Sequence, residues 1–87
     1  MRSPSVPGQP LTIGQLAALR LAASGYTSRQ IATRLGTTEA GVHRRFKEIT
    51  IRLGARSRTH AVVIALQHGH IRLDDLDLTP HRQETAA

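Results

Sequence analysis

The sequence predicts an all-α domain built from four short helices. The first observation is the spacing of apolar residues near the middle of the chain, where Val42, Phe46, Ile49 and Leu53 recur at steps of four, three and four. This spacing places them on one face of an α-helix and leaves the basic residues of the same stretch on the opposite face. The second observation is that residues able to cap a helix alternate with glycines able to end one.

Each predicted helix begins at a hydroxyl residue. The first two starts match the capping-box pattern, in which a hydroxyl and a side-chain amide satisfy each other's backbone N–H groups. The predicted caps are Thr12 with Gln15, Thr27 with Gln30, Thr38, and Ser57. The predicted helices span 12–24, 28–35, 39–53 and 58–68. The expected inner face of the first helix consists of Leu16, Leu19, Ala23, Ile13 and Ala22.

The 87 residues make one small domain with two loose ends. Residues 1–10, which hold three prolines, two serines and a glycine, are predicted to be a flexible leader. Residues 11–71 are the predicted folded domain, and residues 72–87 are predicted to be an acidic, disordered tail. We expect few long-range contacts from residues 1–9 and from the chain beyond about 78.

The charge is concentrated in the middle of the chain. The formal net charge is +6, and between Arg20 and Arg58 nine basic residues face two acidic ones. A compact basic centre is typical of a polyanion binder. A basic membrane-surface helix would need a free apolar face, which the predicted core already uses here. The absence of cysteine and of any long apolar run favours a soluble, cytoplasmic protein that makes no membrane contact.

The fourth predicted helix is apolar almost all the way round. Ala61, Val62, Ala65 and Leu66 can pack on the domain. The residues left pointing outward are His60, Val63, Ile64 and Gln67. A helix that is apolar on every side must be buried on every side, so this face predicts contact with a second molecule.

The second and third predicted helices are joined by only three residues, 36–38, and the later helix is basic. This is the pattern of a helix-turn-helix. Three segments resemble the DNA-binding domain of LuxR/NarL/GerE-type transcription regulators over roughly residues 11–71. They are Leu11-Thr12-x-x-Gln15, Gly25-Tyr26-Thr27-x-x-Gln30-Ile31-Ala32-x-x-Leu35-Gly36, and Val42-x-x-x-Phe46-x-x-Ile49-x-x-x-Leu53-Gly54-x-Arg56-Ser57-Arg58-x-x-Ala61-Val62.

The resemblance implies a winged-less, four-helix helix-turn-helix fold. It also implies a third helix in the major groove of DNA, phosphate contacts at the first turns of helices two and three, and a dimer contact through helix four. The candidate base contacts are His43, Arg44 and Lys47. The candidate phosphate contacts are Thr27, Ser28, Arg29, Thr38 and Arg45, and the candidate dimer interface is His60, Val63, Ile64 and Gln67.

Several of these roles have alternatives. Arg44 and Lys47 can contact phosphates only, since half or more of protein–DNA hydrogen bonds go to the backbone. His43 can contact a base or a phosphate, Thr38 can act purely as a cap, and Arg45 can be a structural residue. The sequence departs from the family pattern at four types of position. Gln15 and Gln30 stand in place of Glu, Gly41 in place of Thr, His43 in place of Lys, and Arg45 in place of His.

The predicted function is therefore sequence-specific binding of double-stranded DNA by a transcription regulator. The expected operator is an inverted repeat, and the expected oligomer is a weak homodimer stabilised on DNA. We expect no metal, since the His68-x-His70 pair straddles a helix end and has no nearby Cys or carboxylate pair to complete a tetrahedral site. We expect neither enzymatic activity nor a cofactor, since the sequence has no nucleophile–base arrangement and no glycine-rich phosphate loop. One alternative is an interaction module that pairs with a homologous regulator and blocks it. Another is a module like region four of sigma factors, with RNA polymerase as its partner.

Overall fold

The computed structural model describes residues 5–79, and within this range the chain has four α-helices and no β-strand. The helices are α1 (Ile13–Ala23), α2 (Ser28–Leu35), α3 (Glu39–Leu53) and α4 (Arg58–Gln67), followed by a short 3-10 turn, Leu73–Asp75. α1 and α3 each contact all three other helices, and the contacts of α3 are the more extensive, so α3 is the central element. The all-α prediction is confirmed, and the helix bounds differ from the expected ones by a single residue at the ends of α1 and α4.

Local hydrogen bonds fix where the helices begin and end. The capping boxes of α1 and α2 are both complete, and the predicted hydroxyl caps of α3 and α4 are formed. Each such cap stabilises a helix by about 1 kcal/mol. Gly36 and Gly54 end α2 and α3 in the left-handed region, with φ of +67° and +65°, where a side chain would be strained. The tight turn between α2 and α3 is therefore set by its own residues.

The core forms on the predicted apolar stripe of α3. Val42, Phe46 and Ile49 are each at most 5% exposed. The other buried apolar residues, contributed by the remaining helices and the segment after α4, are Ala18, Leu19, Ile31, Ala32, Ala61, Ala65 and Ile71. Because three helices converge on one stripe, the rotation of α3 about its own axis is fixed.

One residue expected in the core of α1 lies outside it. Ile13 is 86% exposed, and Gln15 is buried instead, with only 3% of its surface exposed. At about 100° per residue the two side chains point to nearly opposite sides of the helix, and Gln15 shares its side with the buried Ala18 and Leu19. The Gln15 amide is satisfied there, because Nε2 donates to Glu48 Oε1 over 3.4 Å and Oε1 accepts from the Thr12 amide.

The described part of the N-terminal segment, for which we expect few long-range contacts, is joined to the end of α3 by hydrogen bonds to a single residue, Arg52. Arg52, near the end of α3, donates from Nε to Ser5 Oγ (3.1 Å) and from Nη1 to the Pro10 carbonyl (2.6 Å). The Gly8 amide donates to the Arg52 carbonyl over 2.9 Å. A guanidinium with several fixed donors can gather a segment that lacks apolar side chains, and no local pattern predicts this. Residues 1–4 lie outside the described residues.

The start of the acidic tail also contacts the domain. Asp75 forms an ion pair with Arg20 of α1, with 3.8 Å between Nε and Oδ2, and the Asp77 amide donates to Ser24 Oγ over 3.1 Å. Asp75 and Asp77 therefore lie against the C-terminal end of α1, and the disorder expected of residues 72–87 stays a prediction. Residues 80–87 lie outside the described range. Among residues 5–79 no helix is both long and apolar enough to cross a membrane.

Two isoleucines offer a test of this core with the same chemical change. Ile71→Ala should lower the free energy of unfolding by about 2–5 kcal/mol, because Ile71 is 1% exposed and its loss leaves a cavity. Ile13→Ala, at an exposed position, should change it by about 0.5 kcal/mol or less. Urea denaturation followed by circular dichroism measures both. Equal effects would mean that the segment after α4 is not part of the core.

Candidate nucleic-acid interface

The exposed face of α3 carries three basic side chains. His43, Arg44 and Lys47 are all solvent-exposed on the side opposite the buried stripe. Among residues 5–79 the ion pairs join Arg20 with Asp75 and Arg72 with Asp74, so none of the three is paired with a carboxylate. The structure therefore places the three candidate base-contacting residues together, with the charges of Arg44 and Lys47 available to an external anion.

The first turn of α2 holds the first group of candidate phosphate contacts. Thr27 is the N-cap, and its hydroxyl both accepts from the Gln30 amide (3.2 Å) and donates to Gln30 Oε1 (3.3 Å). Its hydroxyl is thus committed to the capping box. Ser28 is half-buried, Arg29 is exposed, and the turn contains no acidic residue. The positive end of the helix dipole is consequently not neutralised by its own sequence.

The first turn of α3 holds another candidate, Thr38. Its Oγ1 accepts a 2.9 Å hydrogen bond from the Gly41 amide, which makes it the N-cap and leaves the hydroxyl hydrogen to donate elsewhere. Capping and phosphate contact are therefore compatible at this residue. The same turn also contains the exposed acid Glu39, which favours the helix dipole but would repel an approaching phosphate.

The unusual glycine in the first turn of α3 has a steric reason. A β-carbon at position 41 would overlap Oγ1 of Thr37, the residue in the middle of the α2–α3 link. Glycine inside a helix costs about 1 kcal/mol relative to alanine. Here that cost accommodates the Thr37 hydroxyl against the start of α3. The glycine is visible in the sequence, but no local pattern predicts its contact with Thr37.

Arg45 points along a different direction from its neighbours. It is half-buried, and its Cζ lies 3.7 Å from where a β-carbon on Gly14 would be, so the guanidinium rests against the start of α1. It lines a cleft of about 220 Å³ between α1 and α3. The residues around this cleft are Thr12, Gly14, Gln15, Gly41, Arg44, Arg45, Glu48 and Arg52. Arg45 therefore contacts protein on one side while bordering an open, largely basic cleft.

Arg58 is a basic residue of this region that sequence reasoning did not single out. Its Nη1 donates to Ser28 Oγ (2.5 Å), its Nη2 donates to the Tyr26 carbonyl (3.2 Å), and its Cζ lies 4.5 Å above the centre of the Phe46 ring. Burial lowers the pKa of the Arg58 guanidinium. The signal for this position was its phase: Arg58 precedes the buried Ala61 by three residues and therefore shares its side of α4.

The outer face of α4 carries the four candidate dimer residues, which differ in exposure. Val63 is 54% exposed and Gln67 is exposed, while His60 and Ile64 are half-buried. The four side chains form one continuous stripe along the helix. His60 has an additional local role, because its Nδ1 accepts a 3.0 Å hydrogen bond from the Arg56 amide.

Comparison with known proteins agrees with this geometry. The family model described as bacterial regulatory proteins, luxR family, matches residues 9–65, which include almost all of the four helices. The chain belongs to the luxR family. This luxR-family domain is 42% identical over 65 residues to the Transcriptional regulatory protein YdfI of Bacillus subtilis (strain 168). The match covers 75% of the chain and 30% of that relative's length. No solved structure gives a significant match.

The contact between Thr37 and position 41 of the luxR-family domain can be tested by a double-mutant cycle. Gly41→Ala alone should gain little stability or lose some, because the new methyl group displaces the Thr37 hydroxyl. In a Thr37→Ala background the same change should stabilise by about 1 kcal/mol, the usual preference of a helix for alanine over glycine. Thermal unfolding of the four proteins measures the cycle, and equal effects of Gly41→Ala in both backgrounds would contradict the steric account.

Proposed function

We propose that this chain is the double-stranded DNA-binding domain of a transcription regulator and that it recognises a specific sequence through α3. The observation that carries the proposal is the exposed, unpaired basic face of α3 formed by His43, Arg44 and Lys47. A helix about 10–12 Å in diameter fits the major groove, which is about 12 Å wide. The buried stripe on the other side supports α3 rigidly on three other helices.

In the proposed complex Arg44 and Lys47 contact base edges, and His43 contacts a base or a neighbouring phosphate. Arg can donate two parallel hydrogen bonds to guanine O6 and N7, which gives it the strongest preference for one base. Their exposure on successive turns of α3 supports this assignment. The alternative of an interaction module that only pairs with a homologue is less favoured, because such a module has no need of an exposed basic face.

The proposed phosphate contacts come from the first turns of α2 and α3 and from Arg45. At α2 they are Thr27, Ser28 and Arg29, where free amides, the helix dipole and an exposed guanidinium converge. Thr38 contributes its hydroxyl hydrogen at α3. The Thr27 amide and hydroxyl both donate to Gln30 Oε1, so a phosphate contact at Thr27 requires the phosphate to displace that oxygen.

The proposed dimer forms through His60, Val63, Ile64 and Gln67 on α4. One exposed stripe on one helix buries well under the ~1,600 Å² of a standard interface, so we expect a weak homodimer. Binding to adjacent half-sites raises the effective concentration of the two copies. The expected operator is therefore an inverted repeat with half-sites about one helical turn apart.

The proposed activity is binding and not catalysis, and it requires no cofactor or metal. We place it in the cytoplasm, without membrane contact. RNA polymerase is a candidate further partner of a bound regulator. A sigma-like module would instead use the α4 stripe against polymerase, and a homodimer on DNA would leave that stripe occupied. Cross-linking through α4 between two copies on the operator distinguishes the two, because it is expected of the homodimer and not of the sigma-like module.

Replacing basic residues one at a time should separate phosphate contacts from base contacts. Arg29→Ala should weaken binding to all sequences and reduce the slope of log K against log salt by about 0.9. Arg44→Ala or Lys47→Ala should instead reduce discrimination between selected and random duplexes by about 1–3 kcal/mol for each lost base contact. Fluorescence anisotropy titrations at several salt concentrations measure both quantities.

The control for these titrations is Arg72→Ala, which removes an equal charge outside the proposed interface. Arg72 is highly exposed and lies beside Asp74 after α4. It should change neither the salt slope nor the discrimination. If the Arg29, Arg44 and Lys47 variants lose affinity equally on selected and random DNA, α3 does not read bases.

Replacing Val63 with a charge should test the proposed dimer contact. Val63→Glu brings two like charges together near the two-fold axis and removes them from water, so cooperative binding to a full inverted repeat should be lost. Binding to a single half-site should be unchanged, because Val63 is 54% exposed in the monomer. Electrophoretic mobility shifts on full-site and half-site duplexes measure both.

A matched change elsewhere controls for the general effect of adding a surface carboxylate. Leu73→Glu replaces an apolar residue that is 61% exposed on the turn after α4. It should leave cooperativity intact. Loss of cooperativity in both variants, or unfolding of the Val63→Glu monomer, would show that the α4 stripe is not the dimer contact.

A further inference from the structure

Arg58 occupies an electrostatically unusual position at the junction of three elements. It is the first residue of α4, yet its side chain reaches the start of α2 and lies over the core aromatic ring of α3. The acceptors of its hydrogen bonds are neutral: the Ser28 hydroxyl and the Tyr26 carbonyl. Within residues 5–79 no carboxylate lies within ion-pair distance of it.

The Arg58 guanidinium also lies at the N-terminal end of α2, where a positive charge is electrostatically unfavourable. Ser28 is the first residue of α2, and the N-terminal end of a helix carries partial positive charge that favours anions. The first turn of α2 has no acid, and Arg29 adds a second cation. A partly desolvated cation in these surroundings is unfavourable in the free protein, and an anion bound at the start of α2 would relieve this repulsion.

The hydrogen bond from Arg58 also determines what the Ser28 hydroxyl can do. A hydroxyl has one hydrogen to donate and two lone pairs that accept. Because Oγ accepts from Nη1 of Arg58, the hydroxyl hydrogen is directed away from the guanidinium. No acceptor for that hydrogen is present among residues 5–79. It is therefore available to an acceptor approaching from outside.

We propose that Arg58 is a positioning residue for DNA phosphate: it holds the Ser28 hydroxyl as a donor toward the phosphate and adds a fixed positive charge behind it. This inference rests on the proposed function and extends it to a residue of α4. It also ties the start of the proposed dimer helix to the proposed phosphate contact of α2. In this arrangement Arg58 acts through Ser28 and does not itself touch the phosphate.

A double-mutant cycle on DNA affinity tests the proposal. Arg58→Met keeps an apolar stem over Phe46 and removes both hydrogen bonds and the charge. In the wild-type background Ser28→Ala should weaken binding to a short random duplex about tenfold, the usual effect of losing a hydrogen bond to a charged acceptor. In the Arg58→Met background the same change should weaken binding less than about threefold, because the hydroxyl is no longer directed. Fluorescence anisotropy titrations measure the affinities, at a temperature at which circular dichroism shows that every variant is folded.

The matched control is Arg56→Met. Arg56 is an exposed arginine two residues earlier whose charge is equal but whose side chain is not in contact with Ser28. Ser28→Ala should retain its full effect in this background. If Arg58 has only a structural role, Arg58→Met lowers thermal stability, and the fold-losses in affinity of Arg58→Met and Ser28→Ala multiply in the double variant. That result would overturn the proposal. Failure of the wild-type chain to bind any duplex would overturn the proposed function together with this inference.

A second measurement needs no change at position 58 and covers the case in which Arg58→Met fails to fold. The Nε–Hε resonance of Arg58 in the wild-type protein should shift when a duplex is added. The shift should be smaller in Ser28→Ala, because the hydroxyl that links the guanidinium to the phosphate is absent. A resonance that does not respond to DNA in the wild-type protein would overturn the proposal. The Nε–Hε resonance of Arg20, which lies beside Asp75, is the internal reference.

Discussion

Burial of the apolar face of α3 is the constraint on which the rest of the domain depends. Phe46, the one phenylalanine of the chain, is 5% exposed at the centre of that face, and the other helices converge around it. Rotating α3 by one residue, about 100°, would expose this ring and push a basic side chain such as Lys47 into the core. Burying an unpaired charge costs far more than the core could supply. The outward direction of the basic side chains is thus a consequence of the packing.

The core that enforces this constraint is small. Four of its ten buried apolar residues are alanines, which allow the helices to approach closely but bury little area each. Small domains bury only ~60% of their unfolded surface and are correspondingly marginal. The contacts around the core, such as Arg52 with residues 5–10 and Asp75 with α1, add polar stabilisation where apolar area is scarce. A ligand that binds only the folded state adds further stability by mass action.

The sequence predicts the features that depend on neighbouring residues. The helix starts at Thr12 and Thr27 and the buried stripe of α3 each follow from spacings of three or four residues, and the structure has them as expected. Contacts between distant parts of the chain are a different matter. Arg52 with Ser5, and Arg58 with Ser28, join residues 47 and 30 positions apart, and no periodicity encodes such pairs. Ile13 was misplaced because hydrophobicity alone does not tell a first-turn residue from a core residue.

The composition of the two capping boxes makes the starts of α1 and α2 insensitive to acid. In both, the residue that reaches back to the cap is a glutamine, whose amide does not titrate, whereas a glutamate there would lose its charge as the pH falls. The starts of α1 and α2 therefore keep the same hydrogen bonds at any pH that leaves the backbone folded. Tolerance of acid at the starts of α1 and α2 is in this way built into one uncharged side chain each.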